Sequence, residues 1–564
     1  MILIIISWIY ILFTTINLGF WFDQLMGLKN KNFVVTSILG LFCATIIASL
    51  WAIFGRINIE FHVFLLVFNS FIFLNFRKKI LQIYSVFFGD LKCLSKLLKI
   101  YLISIFIMIV AQCSSVPFVI DNESYYIQTI KWINEYGFVK GIVNLHLFLG
   151  QTSGWHITQS VFNFSFLYSN FNDISGFMLL LGIVFSIQKL NEYYNNKNFN
   201  YLIIGLFPIY SLFYFQFISA PSPDISVFVM SFIILFYFIE NFKKCSAEIF
   251  NLMVVFILFT LYIKNTTLVL LFIPIVLLFQ NYKELSKNLL KSISIATLVL
   301  LLFVIKNMII CGTPIFPSKL FTFLTMDYAI PDSIEFANYN QIKYCGYFID
   351  LKQYNSMSAF DLFLRWLTLP KLNGLFNKIS VILILFSPFF IYKFQNKKSF
   401  WILYFLMFLQ LVLLFATSPQ YRFFMNFILF FSIFCFTCIF NNKQFIYSIL
   451  QFSLLPTLFV LLVPMGINQF SNQKYMNQNS NFSTKYFIFP HENSKNSTLF
   501  EVIELGNFKY NSPIQNDFFW GNGNGNLPCV NKKQIEFYKK YYNIIPQKRT
   551  NDLKDGFYAK NISK

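Results

Sequence analysis

The chain has 564 residues, of which 57% are hydrophobic and only 12% charged. Water-soluble domains carry roughly a quarter charged residues, so a disordered chain, a coiled coil and a soluble enzyme are all excluded. The net charge of +20 reads as basic loops at a membrane surface and not as a nucleic-acid partner.

In chain order, apolar runs approaching the roughly 20 residues that a helix needs to cross a bilayer predict fourteen helices. They lie near 2–20, 33–54, 59–75, 97–119, 174–188, 201–219, 225–240, 249–263, 267–280, 292–310, 379–393, 400–417, 423–440 and 446–465. The first run has neither a basic start nor a small-residue cleavage site, so it reads as an anchor in the bilayer. Two long polar stretches, 121–173 and 311–378, interrupt the helices, and a wet, turn-rich tail runs from 466 to 564 with Gly521–Asn526 as its clearest loop. The expected architecture is an all-α polytopic bundle of about 14 helices. Residues 1–96 form its first helices, 97–465 its core and 466–564 a small C-terminal domain.

Basic residues in the short loops set the orientation. One set of alternate loops holds eighteen Lys or Arg, with clusters at Arg77–Lys79, Lys243–Lys244 and Lys397–Lys398; the other holds only Arg56, Lys264 and Arg422. The first set is therefore expected in the cytoplasm, and both long loops and the tail outside it. No internal repeat is visible, which disfavours an inverted-repeat transporter.

Nine Cys and four His are scattered along the chain. Cys435 and Cys438 form a C-x-x-C inside an apolar run, where small core residues are the better reading than a redox or zinc pair. Cys311, Cys345 and Cys529 fall in polar segments and are candidates for pairing in an oxidising compartment, with no pair singled out. His62, His146, His156 and His491 have no metal-ligand spacing, so no metal site is assigned.

The residues with chemical promise begin where the first outer loop leaves the apolar layer. Asp121 and Glu123, spaced D-x-E, are either a proton acceptor and its neighbour or simple helix-start acids. Residues 128–136 follow as an amphipathic stretch suited to a helix lying in the interface, with Ile130, Trp132 and Ile133 on one side. Gly137, Gly141, Asn144, His146, Gly150, Ser153 and Trp155 come next. The loop count places Asp121, Glu123, Asp224, Lys264, Lys306, Gly312–Pro317, Asp327 and Arg422 at outer helix ends on one side. Charges at such depth are costly and often functional, the alternative being interfacial charges that snorkel into water.

Residues 117–160 resemble the opening of GT-C-type membrane glycosyltransferases, in a bacterial subgroup. The resemblance rests on Asp121-x-Glu123 followed by Tyr125–Tyr126, on Lys131–Tyr136, and on Gly141–His146 with Leu149–Gly150. Weaker matches are Ser219–Asp224, Lys306–Asn307 with Gly312–Pro317 (Lys standing for the usual Arg), and Ser418–Phe423, where Gln420 replaces an acidic residue. The pattern covers roughly 97–440. In the tail, Leu527–Cys529, Arg549 and Asp555–Phe557 faintly match the same subgroup, without its second cysteine near Phe519–Trp520.

The resemblance implies a polyprenyl-phosphate-linked sugar donor, a lipid or glycan acceptor and a bacterial inner membrane, with the site facing outward. Asp121 is then the catalytic base. Arg422 holds the phosphate, with Lys306 and Lys264 as second choices. Glu123 or Asp224 orients the acceptor or holds a divalent cation, and no cofactor beyond that cation is implied. Trp132, Trp155 and Tyr125 either stack on sugar rings or anchor in the interface. Two other functions fit the same outline: an O-antigen-type polymerase or ligase, and a lipid or glycan transporter without covalent chemistry.

Overall fold

A computed structural model describes residues 1–168, 174–318, 322–495 and 498–562. Residues 169–173 and 319–321, within the two expected outer loops, lie outside the described residues. The core is a helical bundle. Eleven helices are long and apolar enough to cross a membrane: α1 (Ile2–Met26), α2 (Phe33–Phe54), α3 (Ile59–Cys93), α4 (Lys96–Cys113), α7 (Ile174–Asn196), α8 (Phe199–Ile218), α9 (Pro223–Asn241), α12 (Leu289–Cys311), α15 (Lys371–Phe394), α16 (Lys398–Thr417) and α18 (Lys443–Leu462). The expected runs at 249–263, 267–280 and 423–440 form shorter apolar helices, α10 (Ala247–Ile263), α11 (Asn265–Gln280) and α17 (Met425–Ile439). Four shorter helices, α5 (Ile127–Tyr136), α6 (Gly154–Phe162), α13 (Asp332–Cys345) and α14 (Ala359–Leu367), belong to the two long loops.

Polar caps set the helix starts. Asn32, Ser95, Ser222, Ser246 and Asn442 each accept a backbone N–H of the first turn, satisfying donors that the helix itself leaves open. Several boundaries differ from the sequence reading, among them those of the third and fourth helices. The third helix runs on to Cys93 through a kink at Phe76, so Arg77–Lys79 sit on helix and not in a loop. The fourth ends at Cys113 instead of 119. There Ser114 and Ser115 turn their hydroxyls back to the Ala111 carbonyl, each at 2.8 Å, and Pro117 cannot continue the ladder.

Helices α2, α7 and α9 form the interior, whereas α3, α12, α15 and α18 carry most of their apolar side chains on the outside of the bundle. That is the arrangement expected where lipid replaces a protein neighbour. Small residues bring α1 and α2 close: a Cβ on Gly19 would lie 1.9 Å from the Thr36 carbonyl oxygen, and one on Gly40 would lie 1.8 Å from that of Thr15.

The tail, outside the helical bundle, contains β structure. It holds two antiparallel hairpins, β1 (Phe500–Leu505) with β2 (Phe508–Pro513) and β3 (Ile544–Lys548) with β4 (Phe557–Asn561), and between them a helix, α19 (Lys532–Tyr542). It also packs directly on the first long loop. The Phe557 amide donates to the Lys140 carbonyl at 2.9 Å, and Trp132 meets the Phe557 ring edge-on at 5.9 Å. Helix α5 is therefore largely buried, between α6 and the tail, and does not lie free in a bilayer interface.

Candidate functional site

Between α4 and α5 the chain makes one wide π-helical turn, Asn122–Tyr126, directly after Asp121. Such turns are rare and concentrate at functional sites. Here the turn sends successive side chains in two directions. Asp121, Tyr125 and Tyr126 line a cleft of about 240 Å³, while Asn122, Glu123 and Ser124 point into the tail.

The cleft gathers the ends of helices distant in sequence: the exit of α4, the start of α9, the ends of α10 and α12, and the α16–α17 connection. Asp121 Oδ2 accepts Arg422 Nη1 at 2.8 Å. Arg422 Nε donates to Gln420 Oε1 at 3.0 Å, so an amide oxygen stands where an acidic residue was expected from the resemblance. Burial works against the charge on Arg422, but Asp121 and then Asp224 outweigh it and hold the guanidinium above its usual range.

Asp224, in the first turn of α9 and almost wholly buried, pairs with Lys264, which follows α10. The Phe423 ring lies under both cations, 4.4 Å from Lys264 Nζ and 5.0 Å from the Arg422 guanidinium carbon. Lys306, near the end of α12, is 3% exposed. Its Nζ donates to the Thr152 carbonyl at 2.5 Å and lies 5.2 and 5.3 Å from the Phe303 and Tyr262 rings. Among the described residues no carboxylate pairs with it. Behind it His156 is kept neutral, its pKa lowered to about 3 by burial and then by the Lys306 charge.

A family model described as a domain of unknown function, DUF8201, matches residues 1–429. The chain belongs to the DUF8201 family. No curated protein and no solved structure matches it. The DUF8201 match ends just beyond Arg422, so it takes in every cleft residue named above and leaves the tail outside.

Within this DUF8201 chain the cleft brings together Asp121, Lys264, Lys306 and Arg422, with Asp224 reaching it through Lys264. Three expected site residues are elsewhere. Glu123 is buried under the tail, where its carboxylate accepts Ser494 Oγ at 2.6 Å and the Lys495 amide at 2.7 Å. Trp132 is packed between Tyr136 and Phe557. Trp155 is fully buried, and its Nε1 donates to Ser175 Oγ at 3.1 Å. Neither indole lines the cleft or reaches an interface, because α5 and α6 are core helices here. Asp327 is also drawn away, pairing with Arg549 of the tail at 3.0 Å.

The donor set does not fit a divalent cation. Glu123 is taken by the tail, Asp224 by Lys264 and Asp121 by Arg422. Among the described residues no three His, Cys, Asp or Glu side chains converge. Cys311, Cys345 and Cys529 are free thiols. Cys311 closes α12 with its Sγ toward the Gly150 carbonyl, and Cys529 is buried with its Sγ toward the Asn522 carbonyl.

Sequence reasoning missed Thr152, Tyr262 and Phe303, and noted Phe423 only as part of the Ser418–Phe423 match, with no role given to its ring. Thr152 contributes a carbonyl, which no side-chain pattern can reveal. Tyr262 and Phe423 stand beside cations already singled out at helix ends, so an aromatic-next-to-cation pattern was there to find.

Proposed function

We propose that this chain is a membrane glycosyltransferase of the GT-C type. It moves a sugar from a polyprenyl-phosphate carrier to a lipid or glycan acceptor, with inversion, at the outer face of a bacterial inner membrane. The observation that carries the reading is Lys306: a buried ammonium with no carboxylate partner among the described residues, in the same cleft as the Asp121–Arg422 pair. An unpaired buried cation is strongly disfavoured unless an anion completes it, and the carrier phosphate is such an anion. Arg422 engages Asp121 and Gln420 through Nη1 and Nε, which leaves Nη2 to bind a phosphate oxygen as well.

In this reading an acceptor hydroxyl attacks the anomeric carbon from the face opposite the phosphate. The new C–O bond forms as the bond to the phosphate oxygen breaks. The hydroxyl proton passes to Asp121, and the electron pair of the broken bond leaves with the polyprenyl phosphate. Lys306 and Arg422 stabilise the charge growing on that leaving group. Phe316 and Phe423 supply apolar walls for the sugar and the first part of the carrier chain.

The test is transfer from a panel of labelled polyprenyl-phosphate hexoses and pentoses by the full chain in proteoliposomes. Wild type should add a single sugar, and Asp121→Asn should abolish the addition. Wild-type rates in a folded Asp121→Asn protein would overturn the proposal. A ladder of repeat units would replace it with a polymerase or ligase, and unchanged substrate on the far side with a transporter.

A further inference from the structure

The second long loop ends in α14, nine residues with three distinct sides. At helical spacing, Phe360, Phe363, Leu364 and Leu367 form one stripe, Asp361 and Arg365 a second, and Leu362 and Trp366 the third. Trp366 is buried, whereas Phe360 is 67% and Leu364 40% exposed. The helix is fixed at its start by a reciprocal cap, Asp361 N–H to Ser358 Oγ and Ser358 N–H to Asp361 Oδ2, both 3.2 Å. Its apolar stripe is therefore presented by a well-defined helix.

Two contacts place α14 at the ends of two long apolar helices. Asn377 of α15 donates to the Trp366 carbonyl at 2.7 Å, and the Trp366 ring meets Phe415, near the end of α16, edge-on at 4.8 Å. Phe363 of the stripe meets Phe415 of α16 at 6.0 Å, and the two long helices themselves present outward apolar residues, Leu375 of α15 and Val412 of α16, 51% and 47% exposed. A short amphipathic helix at the ends of two membrane-length helices, its apolar stripe in contact with one of them through Phe363, is suited to the boundary between headgroups and acyl chains. A further contact ties it to the cleft: Trp366 Nε1 donates to the Pro419 carbonyl at 2.7 Å, three residues before Arg422.

We propose that α14 lies in the bilayer interface on the cleft side, with Phe360 and Leu364 among the lipid chains, and that Trp366 holds the Arg422 loop against it. The occupant of the stripe is the bilayer itself. The inference does not depend on the transferase reading, since lipid contact and loop order are read without any reaction.

The experiment uses the full chain with its two exposed cysteines, Cys93 and Cys345, replaced by Ser. Nitroxide labels are placed singly at Phe360→Cys, Leu364→Cys, Arg365→Cys and Lys352→Cys in vesicles of phosphatidylcholine and phosphatidylglycerol. The ratio of oxygen to water-soluble nickel-chelate collisions should be severalfold higher at 360 and 364 than at 365 and 352. Labels at 360 and 364 that meet the nickel chelate as freely as the other two would place the stripe in water and overturn the proposal. Shielding from both reagents would overturn it as well, by showing a covering protein surface. Trp366→Phe, which keeps the ring and removes the N–H, should speed deuterium exchange of the Phe423 and Phe424 amides severalfold and leave α9 unchanged. Unchanged exchange at those amides would overturn the link to the cleft.

Discussion

Asp121 and Glu123 are two residues apart, yet they serve opposite faces of one turn. On the cleft face, Asp121 meets a guanidinium whose Nη2 is not used by Asp121 or Gln420, beside a lysine that pairs with no carboxylate among the described residues. On the tail face every partner is protein. Glu123 binds Ser494 and Lys495 through its carboxylate, and its backbone carbonyl accepts the Asn522 and Gly523 amides at 2.9 Å each. Asn522 Nδ2 donates to the Ser124 carbonyl at 2.7 Å, and Gln128 Nε2 to the Gly523 carbonyl at 2.9 Å. The two carboxylates therefore divide between two surroundings: one faces the cleft beside Arg422, and the other fastens the tail over the turn.

Paired substitutions test that division. Asp121→Asn should lower sugar transfer by roughly 10²–10⁴-fold, the usual contribution of a general base, with a smaller fall in unfolding temperature than Lys264→Met, because the Asp121–Arg422 pair is partly exposed. Next in size, Lys264→Met leaves Asp224 charged and buried without its partner, which costs about 3–5 kcal/mol. Thermal unfolding should show that loss, and a neutral result would mean that the pair is dispensable for the fold. Glu123→Gln should cost roughly 1–3 kcal/mol, because the amide nitrogen that replaces one carboxylate oxygen cannot accept from Ser494 or the Lys495 amide. It should also release the tail to protease sooner; faster cleavage in Asp121→Asn would erase the contrast.

The smallest effect is in pH. Burial raises the Glu123 carboxyl above its ordinary value of 4.5, against the pull of Ser494 and Lys495. The folded state thus holds this proton more tightly than the unfolded chain. Its contribution is fully present below pH 4.5 and is lost as the pH climbs through the raised value. The unfolding temperature of wild type should fall relative to that of Glu123→Gln across this window. Parallel curves for the two proteins would show that Glu123 does not titrate there.

Much of the cleft was legible because charges in an apolar chain are conspicuous. Asp121, Lys264, Lys306 and Arg422 each interrupt or end an apolar run, and the basic-loop count put all four on one side before any contact was known. Glu123, Trp132 and Trp155 misled for a common reason. Residue type and spacing identify a helix start or an amphipathic turn, but they do not say which neighbour covers it. The tail that buries Glu123 and Trp132 is more than 350 residues further along the chain, and no local pattern encodes that docking.

What composition and periodicity determined alone is the solvent of this protein, the existence of its long helices and the side on which its charges collect, since each follows from the transfer energy of residues near one another in sequence. Tertiary structure decided the rest. It turned Asp121 toward Arg422 and Glu123 toward Ser494, left Lys306 without a carboxylate partner among the described residues, and set Trp366 against Pro419. Those outcomes depend on which distant helix ends and loops come within hydrogen-bonding reach, and only the packed bundle specifies that.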